Sequence, residues 1–223
     1  MFHFIDDKSF LSKMRSACAD IVNQLKQEIN RNEIMMVDTY LVGSGARNLI
    51  TQNKNEPIDL DYQLEIEALY GLEWEECRKI KEYVKREFNE ILCRNGWADC
   101  NDSTSVLSTK YMCFDKGNQT RFKIDLAIIV KDNKGNWWRL IHKKTGNTNT
   151  DEWSWEQGRD SNGLEDKVIK LKEKGYWETV RNSYLEKKNM YLTKNDHNHP
   201  SFICYIEAVN EIYYSKIASQ RNK

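Results

Sequence analysis

The sequence has 223 residues, of which 39% are hydrophobic and 30% charged, with two prolines and ten glycines. That length and composition suit one soluble domain, or a catalytic domain with a small appendage, and exclude a low-complexity or disordered chain. Lys plus Arg and Asp plus Glu stand at 34 each, so the formal charge is zero; a chain that grips long nucleic acid through its backbone usually carries a basic excess, and none is visible globally.

Phe10, Met14, Ala17, Cys18, Ile21, Leu25 and Ile29 recur at helical spacing, which predicts an amphipathic helix over Ser9–Asn30 with Ser9 as its cap. Asp38–Val42 reads as a short strand that breaks at Gly43-Ser44-Gly45, and Ala46–Thr51 as one or two helical turns. Thr51–Glu56 reads as a polar loop. Pro57–Ile66 is the clearest strand: Ile58, Leu60, Tyr62, Leu64 and Ile66 alternate with Asp59, Asp61, Gln63 and Glu65, and period two sends the two sets to opposite faces. Leu72–Arg94 is a second long helix, with an apolar stripe of Cys77, Ile80, Val84, Phe88 and Ile91.

Three strands follow, over Ser105–Phe114, Arg121–Val130 and Trp137–Lys143, with Asp102, Ser103 and Thr104 as a turn before the first. Lys116-Gly117-Asn118 and Asn133-Lys134-Gly135-Asn136 are turn chemistry, so these strands are expected to be antiparallel and hairpin-connected. A polar stretch, Thr145–Glu152, precedes a helical pattern over Asn162–Lys174, Tyr176–Thr193 and Ser201–Ser219. Asp160, Ser161 or Asn162 caps the first helix, and Gly175 and Asn195–Pro200 form the breaks. This order predicts an α+β core over residues 1–150 and a helical C-terminal subdomain over 151–223.

Asp59 and Asp61, two apart on one strand, project from the same face. Carboxylates that close repel each other, so one is protonated unless a cation lies between them. A divalent ion meets that need, since Mg²⁺ is held by one or two carboxylates together with substrate phosphates. Asp125 sits in an apolar strand, with Ile124, Leu126 and Ile128 facing away from Lys123, Asp125 and Ala127; strand propensity and burial both disfavour an Asp there. If its strand lies beside Asp59 and Asp61, three carboxylates converge, enough for two ions on one phosphate. Gly43 and Ser44 lie where a strand turns into a helix, where glycine admits close approach and free N–H groups favour phosphate. Arg47, one turn on, adds a charge.

Gly43-Ser44, Asp59-Leu60-Asp61 and Lys123-Ile124-Asp125-Leu126 together resemble the signature of the DNA polymerase β-type nucleotidyltransferase superfamily, across about Asp38–Val130. The resemblance implies a small mixed or antiparallel sheet with helices packed on one face. It implies transfer of a nucleoside monophosphate from a nucleoside triphosphate to an acceptor hydroxyl, with release of pyrophosphate and dependence on two Mg²⁺ or Mn²⁺ ions. By the same carry-over Gly43 and Ser44 hold the β- and γ-phosphates, Asp59 and Asp61 bind both ions, and Asp125 binds the ion at the acceptor hydroxyl. The connection from Ser44 to Asp59 is longer than is usual in the family, which bears on the role of Arg47. Lys123 either touches phosphate or pairs with a site carboxylate.

The neutral charge favours a small molecule, a second nucleotide or a protein hydroxyl as acceptor over long nucleic acid such as an RNA end. The alternative is a catalytically silent nucleotide- or partner-binding module of the same fold, for example one half of a toxin–antitoxin pair. Lys167, Lys170 and Lys174 share a helix face that is either solvated or turned to a triphosphate. Trp137, Trp138, Trp153 and Trp155 serve in packing or as a base-stacking surface. His197 and His199 with Asp196 read as a surface turn. Six cysteines without a CxxC pair, and an opening Met1–Phe10 that has Asp6 and Asp7 and no apolar run, lead to the expectation of reduced thiols in the cytoplasm. No stretch approaches the roughly 20 apolar residues of a membrane span.

Overall fold

The computed structural model describes residues 1–158, 163–196 and 199–218. In chain order the elements are β1 (Phe2–Phe4), α1 (Lys8–Arg31), β2 (Met35–Leu41), α2 (Gly43–Arg47), β3 (Thr51–Asn53), β4 (Ile58–Leu69), α3 (Cys77–Arg94), β5 (Asn101–Asp102), β6 (Leu107–Ser108), β7 (Phe122–Lys131), β8 (Trp137–Lys143) and β9 (Glu152–Gln157), then α4 (Leu164–Glu173), α5 (Trp177–Thr193) and α6 (Ser201–Lys216). They form two compact units. The larger comprises Asp6–Ile50 and Asn55–Gly158, and the smaller comprises Met1–Ile5, Thr51–Lys54 and Arg159–Lys223.

In the larger unit the alternation of β4 does what period two dictates. Ile58, Leu60, Tyr62, Leu64 and Ile66 are all buried, together with Phe122, Ile124, Leu126 and Ile128 of β7. The stripes of α1 and α3, from Phe10 to Ile29 and from Cys77 to Leu92, are buried with them. Each such side chain contributes roughly 1.5–3 kcal/mol on leaving water. Sheet order is β2-β4-β7-β6-β5, with β8 pairing a further stretch of β7 and β9 pairing β8. β4 and β7 run parallel and the other pairs antiparallel, so the sheet is mixed. This is the α+β architecture expected from the sequence. Asp7 rather than Ser9 caps α1, its Oδ1 accepting from the Phe10 amide at 2.9 Å.

Other elements differ from expectation for local reasons. The strand expected over Ser105–Phe114 is short because Thr109 takes over the ladder with its side chain: Oγ1 accepts from the Ile124 amide at 2.9 Å. Only Leu107–Ser108 remains as strand, with an isolated bridge at Met112. Upstream, Asn101–Asp102 adds a second short strand, and Ser103 closes the turn between them by donating to the Val106 carbonyl at 2.9 Å. α3 starts at Cys77 rather than Leu72, because Glu73–Glu76 forms its own turn. β9 extends the sheet beyond residue 150, pairing six positions with β8.

In the smaller unit α4, α5 and α6 bury Val168, Leu171, Val180, Tyr184, Tyr205, Val209 and Ile212. Thr51–Asn53, read as loop, is a strand paired with Phe2–Phe4. Asn189 of α5 clamps that ribbon: its Oδ1 accepts from the Phe2 amide at 2.6 Å and its Nδ2 donates to the Phe2 carbonyl at 3.0 Å. Gly175, at φ +73°, breaks α4 from α5. Asp160, Ser161, Asn162, His197 and Ser219 lie outside the described residues. Among the described residues no helix is long and apolar enough to cross a membrane.

Candidate active site

The parallel register of β4 and β7 sets Asp59 opposite Lys123 and Asp61 opposite Asp125. Register partners on neighbouring strands share a face, so three carboxylates and one ammonium form a charged patch on the side away from the core. Lys123 Nζ lies 3.0 and 2.9 Å from the two Asp125 oxygens and 3.8 Å from Asp59 Oδ1. Burial pulls the Lys123 ammonium down, but the Asp125 hydrogen bonds and the Asp125 and Asp59 charges outweigh it and hold the pKa above its ordinary value. The Asp59 side chain is 48% exposed and forms the outer rim.

Asp61 is the unbalanced member. Burial, then the Asp125 and Asp59 charges, push its carboxyl up to about 6, and Lys123 and Arg139 offset only part of that rise. The part of the Asp59 carboxyl turned toward the sheet is desolvated, which with the Asp125 charge raises Asp59 as well, Lys123 opposing. Arg139, on β8 opposite Ile129, lies on the same sheet face as Asp125, and its Nε is buried without a hydrogen-bond partner among the described residues. Ser108 of β6, opposite Asp125, donates its hydroxyl to Asp125 Oδ1 at 2.5 Å.

The glycine turn is joined directly to this patch. The Val42 amide donates to the Asp61 carbonyl at 2.9 Å. Gly43 has φ +63°, and a Cβ there would lie 2.4 Å from Asp61 Oδ2. Only glycine meets both conditions. α2 is a single short turn that ends at Asn48 in the left-handed region. Arg47, expected to add a charge for phosphate, donates Nη1 to the Gly43 carbonyl at 3.0 Å and so closes the turn. Ser44 sits half-buried beside Gly43.

Among the described residues no three acidic, histidine or cysteine side chains stand close enough to share one ion. The donor types nevertheless fit a hard divalent cation: all are carboxylates, they share one face, and Asp61 carries uncompensated repulsion that a cation relieves. Lys123 supplies the positive charge at Asp125 in this arrangement.

Sequence reasoning did not single out Ser108 or Arg139. The signal for Arg139 was the one used for Asp125, a charge inside an otherwise apolar strand, Trp137–Ile141. Lys167 bonds Asn210 at 2.7 Å and Tyr214 at 3.2 Å within the helical unit. His199 stacks on Tyr191 at 3.8 Å and pairs with Asp196 at 2.8 Å. Trp153 stacks on His142, and Trp155 donates to the Trp74 carbonyl at 2.8 Å, so both pack within the larger unit.

No protein-family model matches the sequence, and no curated protein matches it significantly. Solved structures do share its fold. E. coli MS115-1 CdnC with ATP is 12% identical, with a TM-score of 0.57, over 96% of this chain and 67% of that one. The same organism's CdnC:HORMA-deltaN complex gives 12% identity and a TM-score of 0.59 over 94% of this chain and 60% of that one. Elizabethkingia meningoseptica CdnE cyclic dinucleotide synthase with GTP and Apcpp gives 14% and 0.50 over 88% and 68%. The chain thus spans between 60% and 68% of the length of these neighbours. The chain therefore has the nucleotidyltransferase-like fold that these structures share.

Proposed function

We propose that the chain is a divalent-metal-dependent nucleotidyltransferase that moves a nucleoside monophosphate from a nucleoside triphosphate to an acceptor hydroxyl. The observation that carries the reading is the register of Asp61 against Asp125, with Gly43 in contact with Asp61. Asp59 and Asp61 would hold two Mg²⁺ or Mn²⁺ ions, and Asp125 would share the one nearer the acceptor. Bound there, the ions supply positive charge between the triphosphate and the attacking oxygen. Gly43 and Ser44 lie against the β- and γ-phosphates. Lys123, paired with Asp125 and Asp59 in this arrangement, would turn to phosphate with ions on those carboxylates. Arg139, on the same face, is a second cation for the anionic substrate.

The acceptor hydroxyl gives its proton to Asp125 or to solvent, its oxygen bonds to the α-phosphorus, the α–β bridging bond breaks, and pyrophosphate leaves. We assign the acceptor to a second nucleotide; the likeness to a structure described as a cyclic dinucleotide synthase supports that choice, as does the neutral charge of the chain. A test supplies the four labelled nucleoside triphosphates singly and in pairs, with Mg²⁺ or Mn²⁺, and identifies products by mass. Linear or cyclic oligonucleotides are expected. Label on a protein or a small molecule alone would overturn the choice of acceptor.

The Lys123 pairing favours a second reading, a silent module whose carboxylates are permanently neutralised by that ammonium. Binding of a non-hydrolysable triphosphate without any pyrophosphate release from the natural ones would select it.

A further inference from the structure

We propose that the linked side chains of Lys81, Asp102, His142 and Asp151 position Asp125 through Ser108; what Asp125 does there rests on the nucleotidyltransferase reading. The β5–β6 hairpin that presents Ser108 has two register pairs between its own strands and two with β7. So short a ladder does not hold itself in water. Other elements hold it. Lys81 of α3, whose side chain is 2% exposed, stands 2.7 Å from Asp102 Oδ1 and donates to the Ser103 carbonyl at 2.9 Å. The His142 amide of β8 donates to the Thr104 carbonyl at 2.7 Å. The His142 ring, 8% exposed and stacked on Trp153, has Nδ1 2.8 Å from Asp102 Oδ2 and Nε2 2.9 Å from Asp151 Oδ2. Asp151 in turn accepts from the Thr145 amide at 2.7 Å.

Both ring nitrogens face a carboxylate, so the His142 ring bridges Asp102 and Asp151, and Lys81 closes the row at the other Asp102 oxygen. Such rows add little stability over an apolar core of the same shape, but removing one partner leaves the others uncompensated and is costly. The geometry fixed here ends at Ser108, whose hydroxyl holds Asp125 Oδ1 while Lys123 holds both Asp125 oxygens. His142 is therefore a positioning residue: it touches no reacting atom and acts through the hairpin.

The test is a double-mutant cycle on pyrophosphate release, with His142→Gln, Ser108→Ala and the pair. Each single change is expected to lower kcat about tenfold at unchanged KM for the triphosphate, and the pair no further than the worse single. Losses that multiply to about a hundredfold, or a His142→Gln enzyme with normal kcat, would overturn the proposal. Amide exchange gives a readout that needs no turnover. His142→Gln should speed exchange at Thr109 and Ile124, which join the hairpin to β7, and leave β4 unchanged; equal rates at Thr109 and Ile124 would also overturn it. If the wild type transfers nothing, the functional reading fails, and the exchange result alone decides the positioning. If His142→Gln does not fold, Asp151→Asn, which keeps shape and an acceptor but loses the charge, is read by the same two measurements.

Discussion

Gly43 and Asp61 touch: the turn passes so close to the carboxylate that a methyl group on Gly43 would stand 2.4 Å from Oδ2. The backbone there also has φ +63°, which costs an L-residue about 1–2 kcal/mol. Gly43→Ala should therefore lower the melting temperature by a few degrees, yet slow transfer by roughly a hundredfold as Asp61 is displaced. Gly45→Ala is the contrast. Its Cβ would meet side-chain carbons of Leu60 and Leu41 at 2.9 and 3.1 Å, so it should cost stability and spare transfer. Paired melts and pyrophosphate-release rates separate the two, and normal turnover by Gly43→Ala would remove the contact from the site.

Asp61 predicts a pH dependence of stability. Its folded pKa of about 6 lies above the ordinary 3.8, so the ionised form is the one the fold penalises. The penalty is absent well below pH 4, grows as pH rises toward 6, and is complete above that. With solvent screening allowed for, it amounts to about 2 kcal/mol. Asp61→Asn in EDTA should then melt several degrees above the wild type near pH 8 and no higher near pH 3. A gain that does not change with pH would show that repulsion is not its source.

Lys123 is the counter-ion of Asp125 and, more distantly, of Asp59. Lys123→Met leaves the part-buried Asp125 carboxylate without its counter-ion, which should cost about 2–3 kcal/mol in EDTA. Mg²⁺ should then raise the melting temperature of the variant more than that of the wild type, because a metal ion replaces the missing charge. No Mg²⁺ effect on either protein would argue against Asp125 as a ligand.

Asn189 tests the N-terminal ribbon of the helical unit. Its two hydrogen bonds to Phe2 clamp one strand of a ribbon of three pairs. Asn189→Ala should cost about 1–2 kcal/mol and expose the Phe2–Phe4 amides to exchange. Unchanged protection would place the anchor in ring packing on Phe2 and Phe4 instead.

The strand that carries Asp59 and Asp61 was legible because it is long and its apolar residues alternate cleanly with polar ones, and the strand that carries Asp125 because it is a long apolar run in which a single Asp stands out. The parallel pairing that sets Asp61 against Asp125 was not legible, since register depends on two distant segments. Two-residue strands such as Leu107–Ser108 leave no period to detect, so Ser108 was hidden. Glu152–Gln157 did carry a signal, Trp153 and Trp155 alternating with polar neighbours, but the adjoining turn residues pointed to a linker. The Arg47 hydrogen bond to the Gly43 carbonyl was not legible either, because spacing alone does not reveal the acceptor a side chain meets within its own turn.

The most direct measurement is pyrophosphate release from each nucleoside triphosphate in Mg²⁺ or Mn²⁺, for the wild type beside Asp61→Asn and Asp125→Asn. The expected result is metal-dependent release by the wild type and about a thousandfold less from either variant, equivalent to about 4 kcal/mol of transition-state stabilisation, with both variants folded. Release that survives in a folded Asp61→Asn or Asp125→Asn chain, or none from the wild type with any triphosphate and either metal, would contradict a carboxylate-centred nucleotidyl transfer.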